Sequence, residues 1–415
     1  MYHALNASQV ALGVVFHFLL ARRFGAGAET DVFFLSAVVI GFLSLIGSLF
    51  SEMFLQHYCK LLARDTGNAE EFYQAAFTHS ILLGAISIAF GNSFFHLITG
   101  LFAPGFDDGR ASLFRDFFFL HSGTLLLSRA VGLNNSLLNA HMRFFLPYFL
   151  SVVLQAINII FLVAFSDRWG IRALAAGSVT GVLVSFGIQA LAVPRLVGVR
   201  MRIRLWHPSI RPMAASSVSL RLGYQVWGLR DLITANVLSR LPAGSVSEFF
   251  YAMRIVSILF TVTSSPILQI FQSKASHLAA EERAKDILPL ARQAILKNVL
   301  LFSAAALVTA VLLPEALHRL FREAMSPDSM DSIYYLFLAF VPVYVIMAVE
   351  APYLQTVIAM VRGDVVFWIS TVFITVYFLG VQAMGVSRGP FGLVVSMAVA
   401  QAVNLLLYAR FVEQR

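Results

Sequence analysis

The stretch RRFGAGAETDVFF, Arg22 to Phe34, decides how the rest of the chain is read, because a weaker copy, SRLPAGSVSEFFY, returns at Ser239 to Tyr251. In each copy an arginine (Arg23, Arg240) precedes a tight Ala-Gly turn (Ala26-Gly27, Ala243-Gly244). An acid (Asp31, Glu248) and a pair of aromatics (Phe33-Phe34, Phe250-Tyr251) follow at matching distances. The copies lie 217 residues apart in a chain of 415, which reads as two tandem halves.

Composition places the halves in lipid. With 59% apolar residues, 38 Phe, only 13% charged residues and a mean hydropathy of +0.78, a 45.8 kDa chain cannot cover itself with a wettable surface. The pI near 9.8 comes from arginines that punctuate apolar runs rather than from a polar, basic face, so a nucleic-acid partner is not expected. Those runs have about the length that crosses a bilayer core. The lone cysteine, Cys59, excludes an intramolecular disulfide.

Twelve spans are expected, roughly at 5–21, 32–58, 73–101, 113–139, 145–165, 172–194, 214–239, 248–272, 288–318, 332–358, 364–384 and 390–410. The first, followed by Ala26-Gly27-Ala28, has the outline of a signal peptide but lacks a basic segment ahead of Leu5, so it is expected to remain as a span. If the N-terminus is cytoplasmic, sixteen loop and tail cations face the cytoplasm against ten on the other side. That bias rests largely on RLVGVRMRIRLWHPSIRP, the segment where the halves meet. A polybasic stretch at an anionic leaflet gains about 1 kcal/mol per cation, which a topology anchor explains. The expected architecture is an all-α polytopic membrane protein of two pseudo-symmetric six-helix lobes. Residues 1–194 form the first lobe, 195–213 a basic cytoplasmic linker and 214–415 the second, with both termini cytoplasmic. Six spans per half start each half on the same side, so the repeats are parallel, and such bundles place substrate between lobes that rock.

Charges left in the spans are the candidate site residues, because a charge at mid-bilayer costs about 3 kcal/mol or more unless it meets a partner or water. The cations are Arg129, Arg221, Arg230 and Arg254, and the acids Glu52, Asp231 and Glu350. Arg230 and Asp231 neighbour each other, and self-neutralisation is the plain reading. Glu350 sits between Pro342 and Pro352, where a bent helix turns it toward a cavity or simply packs it. Arg254 has no acid within four residues on its own helix, so it wants an anionic ligand such as a phosphate, or a carboxylate from elsewhere. His17, His57, His79 and His121 fall on four successive spans without metal-ligand spacing, so no metal and no cofactor is expected. Gly177, Gly181 and Gly41 suit close helix packing. No GxSxG, Walker A, HExxH or CxxC motif is present, so an enzyme is not expected.

The segment ALGVVFHFLLARRFGAGAETDVFF resembles the opening of the MurJ/MviN family, lipid II flippases of the MOP transporter superfamily. LFSE ending at Glu52, SLLNAHMRFFLPYF, PAGSVSEFFYAMRI and IAMVRGDVVFW resemble further family segments in the correct order over most of the chain. The resemblance implies a two-lobed helical bundle in the bacterial inner membrane. In its cationic cavity a polyprenyl-diphosphate-linked glycan or lipid II would turn over from inner to outer leaflet, in company with membrane lipids and envelope-synthesis proteins. By residue, Arg254 matches the family's substrate-cavity arginine and Glu52 its span-two glutamate, while Phe24, Gly25, Gly27 and Asp31 match its loop-shaping turn. The sequence departs where the family's Arg-Asp in span one is Phe16-His17, where an arginine falls on Val38, and where a basic pair is Gly47-Ser48. His17 could replace one of those cations in part. Twelve spans also fall short of the family's usual fourteen. The alternatives carried forward are a polysaccharide-unit (Wzx-like) flippase, a MATE-like antiporter and a non-transporting scaffold.

Overall fold

A computed structural model describes residues 2–45, 49–280, 286–360 and 363–414, helical apart from turns and one longer extended segment between Val197 and Ile210. The helices are α1 (Tyr2–Phe24), α2 (Ala28–Leu45), α3 (Leu49–Leu62), α4 (Thr66–Ser93), α5 (Phe95–Phe102), α6 (Asp108–Ser122), α7 (Thr124–Ala140), α8 (Phe145–Trp169) and α9 (Arg172–Val197). They continue as α10 (Ile210–Leu238), α11 (Ser245–Ala280), α12 (Ile287–Phe321), α13 (Pro327–Ala359), α14 (Gly363–Gly380) with a π-helical turn at Val381–Gly385, and α15 (Val386–Glu413). Among the described residues eight helical segments are long and apolar enough to cross a membrane: α4, α8, α9, α11, α12, α13, α14 with its π turn, and α15.

Two expected spans fall in two pieces each: the third as α4 and α5, the fourth as α6 and α7. The last break has a visible local cause. Around Gly123, Ser122 Oγ donates to the Phe119 carbonyl at 2.9 Å and Thr124 Oγ1 to the His121 carbonyl at 2.8 Å, so side chains compete for carbonyls that a continuous helix would use.

The chain divides into two compact units, one of residues 1–24 and 32–218, the other of 25–31 and 219–415. The turn Gly25–Asp31 thus packs with the second unit although the first lobe supplies it in sequence, and the basic segment after α9 packs with the first.

In the first unit an aromatic seam of Phe54, Tyr58, Phe72 and Tyr73 forms much of one core, with Phe54 and Phe72 stacked at 5.4 Å between centroids. A buried polar chain crosses from α4 through α7 to α9. Tyr73 donates to Asn134 Oδ1 at 2.7 Å, Asn134 Nδ2 to Gln189 Oε1 at 3.0 Å and Gln189 Nε2 to Asn135 Oδ1 at 2.8 Å. Such a network is satisfied in only one helix register, and it fixes which faces meet. Small residues let backbones close in. A Cβ on Gly177 would lie 2.9 Å from Phe161 Cβ, and one on Gly181 3.1 Å from Leu154 Cγ. Gly41, expected to do the same, has no neighbour within 4 Å of such a Cβ, so close packing does not explain it.

In the second unit, cores form where α13, α14 and α15 meet around Tyr353, Val357, Val366, Ile369 and Tyr408, and where α11 meets α12 around Phe271, Ala275, Ile287 and Ala291. Pro342 and Pro352 do not end α13, which runs through both.

Candidate functional site

One polar group of the second unit lies on α10. On α10, Trp227, Arg230, Asp231 and Thr234 fall at i, i+3, i+4 and i+7, one helical face. Arg230 donates through Nε and Nη2 to Asp231 Oδ1, at 3.0 and 2.8 Å, and its guanidinium carbon lies 4.0 Å from the centre of the Trp227 ring. Thr234 Oγ1 donates to the Arg230 carbonyl at 2.8 Å and lies 2.8 Å from the buried Tyr377 hydroxyl. Arg230 is therefore held from three sides, its charge matched by Asp231 and its face by an indole.

Arg254 stands apart from that satisfied set. It is exposed on α11, and among the described residues no carboxylate bonds to it. The Tyr344 phenol lies within electrostatic range of Arg254, Arg230 and Asp231. The Arg230–Asp231 pair cancels, leaving one net positive charge at Arg254. A guanidinium fork beside a phenol and a second, pre-oriented arginine suits an anion with several acceptor oxygens.

Glu350 is elsewhere in the same unit and is 5% exposed. Its Oε1 accepts from Asn404 Nδ2 at 2.9 Å and its Oε2 from Gln401 Nε2. Of the two readings left open for this acid, the packed one matches what is seen: two amides of α15 hold it in the interior, where it ties α13 to α15.

The repeated turns meet. Phe24 closes α1, and Gly25, with φ +62°, takes the left-handed position that ends a helix; a Cβ there would lie 2.2 Å from the Ala324 carbonyl oxygen. Asp31 is 0% exposed and accepts from the amides of Gly244 and Ser247, both at 2.8 Å, and from the Ser247 hydroxyl. A carboxylate supplied 216 residues upstream thus covers the N-terminal amides of α11, where the helix dipole favours negative charge. Tyr251 donates to the Gly25 carbonyl at 3.1 Å, closing the contact from the other side. Glu248, the matching acid of the second copy, bonds instead to the hydroxyls of Ser329 and Ser332 on α13. Gly27 donates its amide to Thr30 Oγ1 at 3.0 Å and leaves open space where a Cβ would be.

The remaining candidates lie in the first unit. His17 shares a 2.8 Å hydrogen bond with the Gly13 carbonyl and stands edge-on to Phe16. Glu52 lies on α3, but its side chain is outside the described residues, as is that of Arg221 on α10. His79 bonds to the Ala75 carbonyl and His121 to Ser36 Oγ. Among the described residues no three His, Cys, Asp or Glu side chains group as a metal site. Arg129, 8% exposed, donates to the Leu43 carbonyl and to Ser87 Oγ, both at 2.9 Å. It thus ties α7 to α2 and α4 through one guanidinium nitrogen. Spacing alone could have marked the Trp227 to Thr234 face; Tyr344 has no local signal, since only packing brings it to the arginines.

A family model described as Lipid II flippase MurJ matches residues 20–415. The chain belongs to the MurJ family. A probable lipid II flippase MurJ of Thermotoga maritima is 24% identical over 282 residues, covering 66% of this chain and 57% of that protein. The lipid II flippase MurJ of Burkholderia cenocepacia is 26% identical over 285 residues, 63% of this chain and 54% of that one. The chain thus spans about half the length of the curated relatives it matches. A solved lipid II flippase MurJ in an inward closed conformation superposes with a TM-score of 0.84 at 16% identity, over 99% of this chain and 87% of that one. An inward-facing multidrug resistance MATE transporter of the MOP superfamily gives 0.78 at 13%, over 98% and 94%. At these identities the likeness establishes the fold, so this MurJ-family chain is an all-α multi-pass membrane protein built as MOP transporters are.

Proposed function

We infer that the chain moves a lipid-linked cell-envelope precursor, lipid II or a related polyprenyl-diphosphate glycan, from the inner to the outer leaflet of the bacterial inner membrane. On this reading its termini are cytoplasmic. The observation that carries it is Arg254, an exposed guanidinium without a carboxylate partner among the described residues, set beside Tyr344 and the Arg230–Asp231 pair. An unmatched cation within a long apolar helix is stable when an anion visits it, and a diphosphate offers the acceptors that its fork needs. Membership in the MurJ family supports this ligand class. Arg254 contacts the diphosphate, Arg230 supports it with an orientation fixed by Asp231 and Trp227, and Tyr344 donates from the side. The chain makes and breaks no covalent bond. Uphill movement draws on an ion gradient, the membrane potential or the supply of substrate on one side.

The MATE-like alternative wants acids free to bind a cation. Here Asp231 is engaged by Arg230 and Glu350 by two amides, which disfavours it. The test is an in-cell assay of leaflet accessibility of the lipid-linked precursor. Arg254→Ala should abolish outward movement at normal membrane abundance and Arg254→Lys should retain part of it. Full activity of the alanine variant refutes the assignment.

A further inference from the structure

The segment joining α9 to α10 lies as an extended strap along the first turns of α4. Gln74 Nε2 donates to the Arg200 carbonyl at 3.2 Å, and the Arg200 amide to Glu70 Oε1 at 3.0 Å. The Arg204 amide donates to Thr78 Oγ1 at 2.9 Å, while its guanidinium reaches Glu71 at 2.7 Å. His207, buried against Phe72, bonds to Asn68 Oδ1 at 2.7 Å. Val199 and Met201 join the aromatic seam beneath.

The inward side chains therefore fix the strap, and the outward ones are left with no internal task. Ile203 is 86% exposed, Leu205 66% and Trp206 70%. Arg200, Arg202 and Arg211 are exposed beside them, and among the described residues none of their guanidiniums bonds to a carboxylate.

Depth follows from helix length. The 28 residues of α4 span about 42 Å against a hydrocarbon core of about 30 Å, so roughly two turns project. The polar start of α4 is the part that projects, and there Asn68, Glu70 and Glu71 hold His207, Arg200 and Arg204 of the strap. At headgroup depth a tryptophan is at home, aliphatic side chains reach the acyl boundary, and arginines meet phosphates.

We propose that residues 199–211 are a preformed docking element for anionic phospholipid of the leaflet they face. Arg200, Arg202 and Arg211 take headgroup phosphates, and Ile203, Leu205 and Trp206 enter the acyl boundary. A soluble acidic partner would match the cations but leave three large apolar side chains in water, whereas an anionic leaflet satisfies both.

The test is native mass spectrometry of the intact chain with phosphatidylglycerol and phosphatidylcholine in equal amounts, together with thermal unfolding in nanodiscs of each lipid. Phosphatidylglycerol should be retained preferentially and raise the melting temperature. The preference should shrink as salt shortens the Debye length from about 10 Å at 0.1 M to about 3 Å at 1 M. Each arginine changed to glutamine should weaken retention roughly fivefold, and Arg200→Gln/Arg202→Gln/Arg211→Gln together on the order of a hundredfold. The corresponding triple lysine variant should keep most of the preference, and Trp206→Ala should weaken retention of both lipids. A preference unchanged in the triple glutamine variant overturns the proposal. So does equal stabilisation by inorganic phosphate alone, which would mark a small-anion site. Binding of heparin, a soluble polyanion, without phosphatidylglycerol preference overturns it as well. Should the glutamine variant fail to fold, the salt series on the native chain decides, and a salt-insensitive preference sinks the idea.

Discussion

Removing the carboxylate of Asp31 should loosen the start of α11 selectively. Asp31→Ala leaves the Gly244 and Ser247 amides, both bonded to it at 2.8 Å, without that acceptor in a fully buried position. An orphaned buried donor costs about 1–3 kcal/mol, and a negative charge lost from a helix N-terminus adds about 0.3–1 kcal/mol. The Ser247 hydroxyl loses less, because Thr30 Oγ1 lies 2.8 Å away as another acceptor. The expected loss is about 3 kcal/mol or more for alanine and less for Asp31→Asn, which keeps one oxygen. Hydrogen exchange of the 244–247 amides reads this directly, since about 1.4 kcal/mol is a tenfold change in protection. Alanine should lower protection there on the order of a hundredfold, while amides of the α13–α15 core stay protected. Protection within threefold of wild type at 244–247 would refute the capping argument.

Three further outcomes are expected. Gly25→Ala combines a φ of +62° with a Cβ 2.2 Å from a carbonyl oxygen and should cost more than about 2 kcal/mol in thermal unfolding, whereas Gly27→Ala, with open space, should stay within about 0.5 kcal/mol. Arg129→Gln should destabilise by about 1–3 kcal/mol, because the Leu43 carbonyl and Ser87 lose a charged donor, and Arg129→Lys should recover part; equal stability of all three forms in chemical denaturation would count against these two bonds. The Ser209 amide donates to His207 Nδ1 at 3.1 Å, so His207 is held neutral, and burial and the Arg204 charge keep its pKa below the usual 6.5. The unfolded chain then binds more protons than the folded one as pH falls, so this contribution is present above about pH 6.5 and is lost as pH drops through the folded value. Limited proteolysis within 199–209 should accelerate at acid pH, and His207→Ala should be cut fast at every pH.

What the sequence allowed, and what it hid, divides along the range of the interaction. Apolar runs report burial in lipid locally, so eight of the twelve expected spans coincide with described helices long and apolar enough to cross a membrane. The break at Gly123 was not legible, because a serine or threonine hydroxyl turning onto a carbonyl leaves hydropathy unchanged. The repeated turn paired Asp31 with Glu248 and Gly27 with Gly244. It carried no hint that one copy caps the other, since that contact joins residues 216 apart. Arg254 stood out because nothing on its own helix answers its charge. Glu350 stood out as an acid between Pro342 and Pro352, and the residues that hold it, Gln401 and Asn404, lie 51 and 54 residues away. The strap was legible as a basic stretch. That Val199, Met201 and His207 turn inward while Trp206 turns outward is a property of α4's surface, not of the stretch itself.

The turn that holds Asp31 is synthesised long before the amides it serves. At about 5–20 residues per second, the ribosome takes roughly 10–40 s to deliver the 216 residues between Asp31 and Ser247. During that interval the acid must wait hydrated at the membrane edge, since burying it unmatched would be costly. The first hairpin is therefore held provisional during biogenesis. A translation pause or a slowed insertion before Gly244 lengthens its exposure to proteases, and a truncated product ending ahead of Gly244 leaves the acid unmatched for good.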